Sequence, residues 1–258
     1  MKAVILAGGS GTRLSEETII KPKPMVEIGG YPILWHIMKL YSAYGINDFI
    51  ICLGYKGYMI NEYFCNYKFY RADITVNLAE DEITVHNTAC EPWKITMVHT
   101  GMDTLTGGRL KRVKEYIGGE TFCFTYGDGL CDVDIAKVIA FHQNEVSAGI
   151  LATVVAIMPF GRYGTLELEG KKVKRFVEKP EQDANYVNGG FFVLEPAALD
   201  YIEGDKTTWE REPIESMSKL GRVQAYKHHG FWGAMDTLRD KHSLEELWAS
   251  GQAPWKKL

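Results

Sequence analysis

An apolar run, Lys2 to Ala7, leads straight into Gly8-Gly9-Ser10-Gly11-Thr12-Arg13-Leu14. Glycines at the end of such a run let the backbone approach an anion, and successive amides can form a concave nest for phosphate oxygens. A tight strand-to-helix turn without a ligand would use the same glycines. The dinucleotide fingerprint is excluded, because Leu14 stands where its third glycine belongs, and no Gly-Lys-Ser/Thr follows to complete a P-loop. Shortly after comes Lys21-Pro22-Lys23-Pro24-Met25. Prolines on both sides of Lys23 fix the local backbone and block a helix. A cation on a stiff arm beside a glycine nest is suited to meeting phosphate.

Two carboxylates are placed for related chemistry. The strand-like run Thr121–Tyr126 ends in Gly127-Asp128-Gly129, so Asp128 falls at a strand's carboxyl end, where α/β proteins bind ligands. A turn aspartate would look the same. Far along the chain, Phe231-Trp232-Gly233-Ala234-Met235-Asp236-Thr237 offers Asp236, which could cap the last helix and still bind a metal. Oxygen ligands of this kind suit Mg²⁺, which takes one or two carboxylates, water and substrate phosphates. No Ser/His/Asp or Cys/His nucleophile set is apparent, and His228-His229 reads as an exposed pair before a loop.

The elements that must hold these residues alternate. Lys2–Ala7, 48–54, 73–80, 95–100, 121–126 and 149–157 read as strands, and Ile33 to Tyr44, 56–67, a stretch near 110–117 and 134–146 as helices. Such alternation builds a mostly parallel, Rossmann-like α/β sheet covered by helices on both faces. The later part has short strands at 164–169, 170–178, 187–195 and 222–227, with a hairpin at Glu169-Gly170, and helices at 208–220 and 237–249. It reads as a smaller antiparallel part laid over the carboxyl edge of the first sheet. The expected organisation is one domain over 1–258, with 1–157 mainly nucleotide-binding and 158–258 mainly sugar-phosphate-binding.

Composition narrows the class. The chain has 258 residues, is 46% hydrophobic and carries a formal net charge of -4, with a pI near 6.0. It can bury a sizeable core. Nothing requires a nucleic-acid partner, and no apolar segment approaches a membrane span. Five cysteines without a CxxC read as free thiols in a reducing compartment, so the expected location is cytoplasmic.

The succession GGSGTRL, KPKPM and GGYPIL resembles the N-terminal signature of the nucleotide-sugar pyrophosphorylases, and the resemblance extends over nearly the whole chain. It implies a Mg²⁺-dependent enzyme that joins a nucleoside triphosphate to a sugar 1-phosphate and releases pyrophosphate. It implies that Gly8, Gly9, Gly11, Thr12 and Arg13, flanked by Leu6, Ala7 and Ser10, hold the nucleotide, and that Lys23 contacts phosphate at the reacting centre. By the same resemblance Asp128 and Asp236 share the metal, and Arg13, Lys23 and Asp128 form the catalytic set. The family's sugar-binding Glu-Lys-Pro stands here as Glu178, Lys179 and Pro180, its second sugar-contacting turn as Asn188 and Gly189, and Gly164 lies against the sugar ring.

The segments TGGRLKRV, TTWEREP and FWGAMDTLRDK resemble the branch of that family that uses CTP and glucose 1-phosphate to make CDP-glucose for bacterial dideoxysugar and O-antigen synthesis. Arg109 replaces part of a segment that frames the base in the thymidylyl branch. A guanidinium only donates, and the cytosine edge offers N3 and O2 as acceptors, so Arg109 is the expected base reader, with Thr104 on the same loop. A thymidylyl- or uridylyltransferase and a catalytically inactive sugar-nucleotide sensor remain open readings at this level. A homo-oligomer is expected, with the aromatic-rich Tyr63–Tyr70 stretch as one candidate contact.

Overall fold

The computed structural model describes residues 1–88, 90–158, 165–169, 172–177 and 186–256. Seven strands form the main sheet: β1 (Lys2–Ala7), β2 (Asp48–Leu53), β3 (Lys94–His99), β4 (Phe122–Tyr126), β5 (Ala152–Ile157), β6 (Val187–Leu194) and β7 (Val223–His228). Their order across the sheet is β7-β5-β6-β4-β1-β2-β3. All neighbours pair in parallel except at β6, which runs antiparallel to both β5 and β4.

The central strands are apolar on both faces because both faces are covered. Along β1, Ala3, Ile5 and Ala7 join a core that includes Ile33, Leu34 and Ile37 of the helix Ile33–Ser42. The alternate residues Val4 and Leu6 join a second core on the other face with Leu110, Val113 and Ile117. On β2 the same period of two sends Phe49, Ile51 and Leu53 to the first core and Ile50 and Cys52 to the second. Within the first core His36 is packed among Trp35, Trp248 and Trp255, and its Nε2 bonds the Ile28 carbonyl at 2.8 Å. Burial lowers its pKa to about 4, which keeps the ring neutral.

Three elements depart from what the sequence suggests. The strand expected over 73–80 forms as Ala72–Asn77, but it pairs with Glu82–Thr88 in a separate antiparallel ribbon outside the main sheet. Its polar–apolar alternation, with Ile74 and Val76 exposed, lacks the continuous apolar run of a doubly covered strand. The later strands do not all form a layer over the carboxyl edge: β6 and β7 join the same sheet, whereas among the described residues Thr165–Glu169 with Lys172–Val177, and Trp232–Ala234 with Gly129–Cys131, pair apart from it. The apolar β6, buried from Gly189 to Leu194, could not face solvent as a covering strand would. The helix expected near 110–117 starts earlier and breaks at Val113 into Thr106–Arg112 and Lys114–Ile117. Gly107 and Gly108 open its first turn, where their amides donate to the Thr207 carbonyl.

No helix among the described residues is long and apolar enough to cross a membrane. None of the five cysteines is in a disulfide; Cys52, Cys123 and Cys131 are buried, whereas Cys65 and Cys90 are exposed. Burial pushes the Cys52 and Cys123 thiols up to about 12. Ellman's reagent at pH 8 should therefore label two thiols quickly in the native protein and all five only after denaturation. Fast labelling of Cys52 or Cys123 would contradict this packing.

Candidate functional site

A cleft of about 960 Å³ opens where β1 and β4 end and β6 begins. The chain adds β2 and β3 on one side of β1 and β4 on the other, so the cleft lies at the point where strand order reverses. Leu6, Ala7, Gly8, Gly9, Ser10, Gly11, Thr12 and Arg13 line it, together with Lys23, Thr104, Arg109, Asp128, Asn188, Gly189 and Asp236. Gly164, Glu178, Lys179 and Pro180 lie outside the described residues.

Lys23 is a buried charge at the reacting end of the site. Its Nζ donates to Asp128 Oδ2 at 2.6 Å and to Asp236 Oδ1 at 2.7 Å, and its side chain is only 9% exposed. Arg13 Nη1 donates to the other oxygen of Asp236 at 2.8 Å, from a side chain that is 73% exposed. The flanking prolines do not remove all helical structure: Lys23–Met25 is a single 3₁₀ turn, with Pro24 in its first turn, where a missing N–H costs nothing. Pro24 packs against the end of β4 because residue 127 is glycine. A Cβ there would lie 2.7 Å from the Leu6 carbonyl and 3.0 Å from Pro24 Cγ.

The two carboxylates meet through backbone pairing. Gly129–Cys131 pairs antiparallel with Trp232–Ala234, and the Met235 amide donates to the Asp128 carbonyl at 2.9 Å. That brings Asp236 beside Asp128. Asp236 does not cap the last helix, Leu238–Ala249; Thr237 does, in a capping box with Asp240. The Asp236 carboxylate is thereby left to Lys23 and Arg13. Two carboxylates converging on one cationic point make a donor set that fits a hard divalent cation, which prefers carboxylate oxygen.

Arg109 is 5% exposed, and burial disfavours its charge. Nη1 donates to the Leu53 carbonyl at 3.1 Å and to Thr100 Oγ1 at 2.8 Å; Nη2 donates to the carbonyls of Gly8 and Met102, each at 3.1 Å. All four terminal N–H groups are thus spent on protein acceptors, and only Nε–H is left for a base. The guanidinium lies so close to the loop that a Cβ on Gly8 would stand 2.2 Å from Nη1. On the far wall, Asn188 Oδ1 accepts from the Gly190 amide at 2.8 Å, and Trp232 Nε1 donates to the Gly189 carbonyl at 2.6 Å.

The cleft also contains Tyr55, Thr106, Tyr126, Lys206 and Trp232, which sequence reasoning did not single out. Thr106 and Trp232 lie inside motifs that it used, and Tyr126 and Lys206 directly precede others. Tyr55 carries no local signal, because only the packing of its loop brings it to the cleft. His228 is not a free surface residue: its Nε2 bonds Asp132 Oδ1 at 2.8 Å.

The nucleotidyl transferase family model matches residues 2–232. The chain is 57% identical over 257 residues to a glucose-1-phosphate cytidylyltransferase of Salmonella typhi, covering 99% of both chains, and equally to the one from Salmonella typhimurium. Among solved structures it is similar to HddC from Yersinia pseudotuberculosis, with 25% identity, a TM-score of 0.69 and coverage of 96% of this chain and 99% of the other. A UDP-glucose pyrophosphorylase from Acinetobacter baumannii shares the fold at 18% identity, with a TM-score of 0.70 and coverage of 98% and 95%.

The proximity of Gly8 to Arg109 has a measurable cost when disturbed. Gly8→Ala should lower the unfolding free energy by about 1–3 kcal/mol through overpacking. Combining it with Arg109→Ala should cost clearly less than the sum of the single losses, since the clash disappears with its partner. Additive losses in urea unfolding would show that the two residues do not meet.

Proposed function

The chain belongs to the nucleotidyl transferase family, and on that basis we propose that it transfers the cytidylyl group of CTP to glucose 1-phosphate, giving CDP-glucose and pyrophosphate. The observation that carries this reading is the convergence, in one cleft, of the glycine loop, Lys23, two carboxylates and Asn188-Gly189 at the start of β6 rather than in a turn. The 57% identical relative of matching length supports the choice of substrates.

A sugar phosphate has a second pKa of about 6, so its oxygen is largely anionic at neutral pH and needs no general base. That oxygen attacks the α-phosphorus, the bond from the α-phosphorus to the bridging oxygen breaks, and pyrophosphate leaves. The remaining task is to align two polyanions and neutralise their charge. The amides of Gly8, Gly9, Ser10 and Gly11 cradle the triphosphate, with Leu6, Ala7 and Thr12 bordering it. Arg13 exchanges Asp236 for the departing pyrophosphate, and Lys23 meets the reacting phosphoryl oxygens. Asp128 and Asp236 would hold a divalent cation, Mg²⁺ in this reading, which when bound neutralises charge on the phosphates. Asn188 and Gly189 face the sugar, and the family resemblance gives Gly164, Glu178 and Lys179 to the sugar phosphate as well. Thr104 borders the base.

Arg109 acts on the nucleotide through the wall it braces. By drawing in the carbonyls of Gly8, Leu53 and Met102 it ties the glycine loop to the end of β2 and to the loop after β3 in one wall of the cleft. Five thiols, none in a disulfide, support a reducing, cytoplasmic setting. Exposed Ile74, Val76 and Ile83 on the outlying ribbon support a homo-oligomer.

Pyrophosphate release measured with CTP, UTP, dTTP, ATP and GTP against a panel of sugar 1-phosphates tests the substrates; CTP with glucose 1-phosphate should have the highest kcat/KM. In the same assay Arg109→Ala should weaken CTP and UTP alike, leaving their ratio within about threefold of wild type. A fall in the ratio of about 10- to 200-fold would instead make Arg109 a direct reader of the cytosine edge.

Asp128→Asn and Asp236→Asn should each lower kcat by about 100-fold or more while leaving the melting profile cooperative, because each removes an anionic oxygen at the reacting centre. Near-normal kcat in either variant at millimolar Mg²⁺ would remove that residue from the metal set.

A further inference from the structure

The segment from Glu203 to Glu212 contains no regular strand or helix up to its last residue, yet it is strapped to the nucleotide side of the cleft. The Leu105 amide donates to the Asp205 carbonyl at 2.8 Å, and the Gly107 and Gly108 amides donate to the Thr207 carbonyl at 3.0 and 3.2 Å. Arg112 grips the Asp205 carboxylate with Nε at 2.8 Å and Nη2 at 2.5 Å. At the end of this strap, Glu210 is exposed at the cleft rim, and its carboxylate accepts from two cleft-lining hydroxyls. Thr106 Oγ1 donates to Oε2 at 2.7 Å, and Tyr126 Oη donates to Oε1.

The directions of these bonds are determined. Thr106 Oγ1 accepts from the Trp209 amide at 2.9 Å, so its single proton is directed at Glu210. Burial and the nearby Glu210 charge push the Tyr126 phenol well up, so it stays protonated as a donor. The side-chain amide of Asn188 lies against the same phenol and opposes that rise. The Asn188 amide is itself oriented, since its Oδ1 accepts from the Gly190 amide. One carboxylate therefore joins the head of the helix that carries Arg109 to the tyrosine that borders Asn188.

Resting on the function proposed above, we propose that Glu210 is a positioning residue that couples the nucleotide subsite to the sugar-phosphate subsite through Thr106 and Tyr126. Among the described residues Glu210 does not line the cleft, and it reaches the two subsites through those two hydroxyls. A nucleotide that orders the Thr104–Arg109 side fixes Thr106, and with it the Glu210 carboxylate. Tyr126 then presents a fixed oxygen beside Asn188, and glucose 1-phosphate meets a wall already ordered. Coupling of this kind is reciprocal: the sugar phosphate tightens nucleotide binding by the same factor. Glu210 is exposed and outside both cores, so its replacement leaves the fold intact.

Calorimetric titration of glucose 1-phosphate into the full chain with Mg²⁺, with and without α,β-methylene-CTP, measures the coupling directly. Wild type should bind the sugar phosphate about 5- to 10-fold more tightly when the analogue is present. Glu210→Gln presents an amide donor to one of the two donating hydroxyls, and Tyr126→Phe removes one hydroxyl while keeping the ring. Each should bring that ratio to within about twofold of one, and the double variant should lower it no further. A wild-type ratio near one, an unchanged ratio in the variants, or equal weakening with and without the analogue would overturn the coupling while CDP-glucose synthesis by wild type left the proposed function standing. Failure of wild type to bind glucose 1-phosphate or to make CDP-glucose would overturn that function, and the coupling with it.

Discussion

Lys23 donates to Asp128 and Asp236 from a side chain that is 9% exposed, and the rest of the cleft is arranged around that contact. An ammonium taken out of water without partners would be expensive, and two carboxylates brought together without a cation would repel. Each group makes the others tolerable. With Arg13 on Asp236 the set holds two cations and two anions and is balanced. A triphosphate entering such a set competes with the aspartates for Arg13 and Lys23, and the freed carboxylates are then available to a divalent cation. The chemistry proposed here begins as an exchange of partners.

That contact needs three remote segments at fixed positions, and the sheet supplies them. Alternate residues of β1 and β2 enter two separate cores, so the strand ends cannot shift toward either face without opening one of them. The glycine loop leaves the end of β1, Asp128 follows β4, and Pro24 wedges against both where Gly127 lacks a side chain. Arg109 performs the equivalent task in the second wall, tying backbone carbonyls that come from β1, β2 and the loop after β3. Both walls thus rely on a buried cation fastened to neighbouring oxygens, carboxylate in one and carbonyl in the other.

The parts of this arrangement that were legible in the sequence are those encoded locally. A continuous apolar run ending in glycines marks β1 and β4, because doubly covered parallel strands need that pattern. The prolines around Lys23 and the glycines around Asp128 announce themselves by type. What was not legible depends on long-range packing. Nothing in the run Val187–Leu194 says that it will enter the main sheet antiparallel, since an apolar strand pairs equally well in either direction. Arg109 offers donors, but whether they face a ligand or the carbonyls of Gly8 and Met102 depends on loops that are distant in sequence. The capping role fell to Thr237 rather than Asp236 by one position, a distinction that residue preference alone cannot make.

The ribbon that joins Gly129–Cys131 to Trp232–Ala234 sets an order of events during synthesis. By the time residue 228 has left the ribosome, all seven strands of the main sheet and the whole glycine loop exist. Asp236 is still held inside the exit tunnel, and Lys23 has one carboxylate in place of two. The nascent chain can therefore gather its scaffold first, and its charge-balanced centre closes only when the last stretch of polypeptide threads back beside Asp128. A chain stalled just short of that point lacks both the finished cleft and the part of the first core that Met235, Leu244, Ala253 and Trp255 fill.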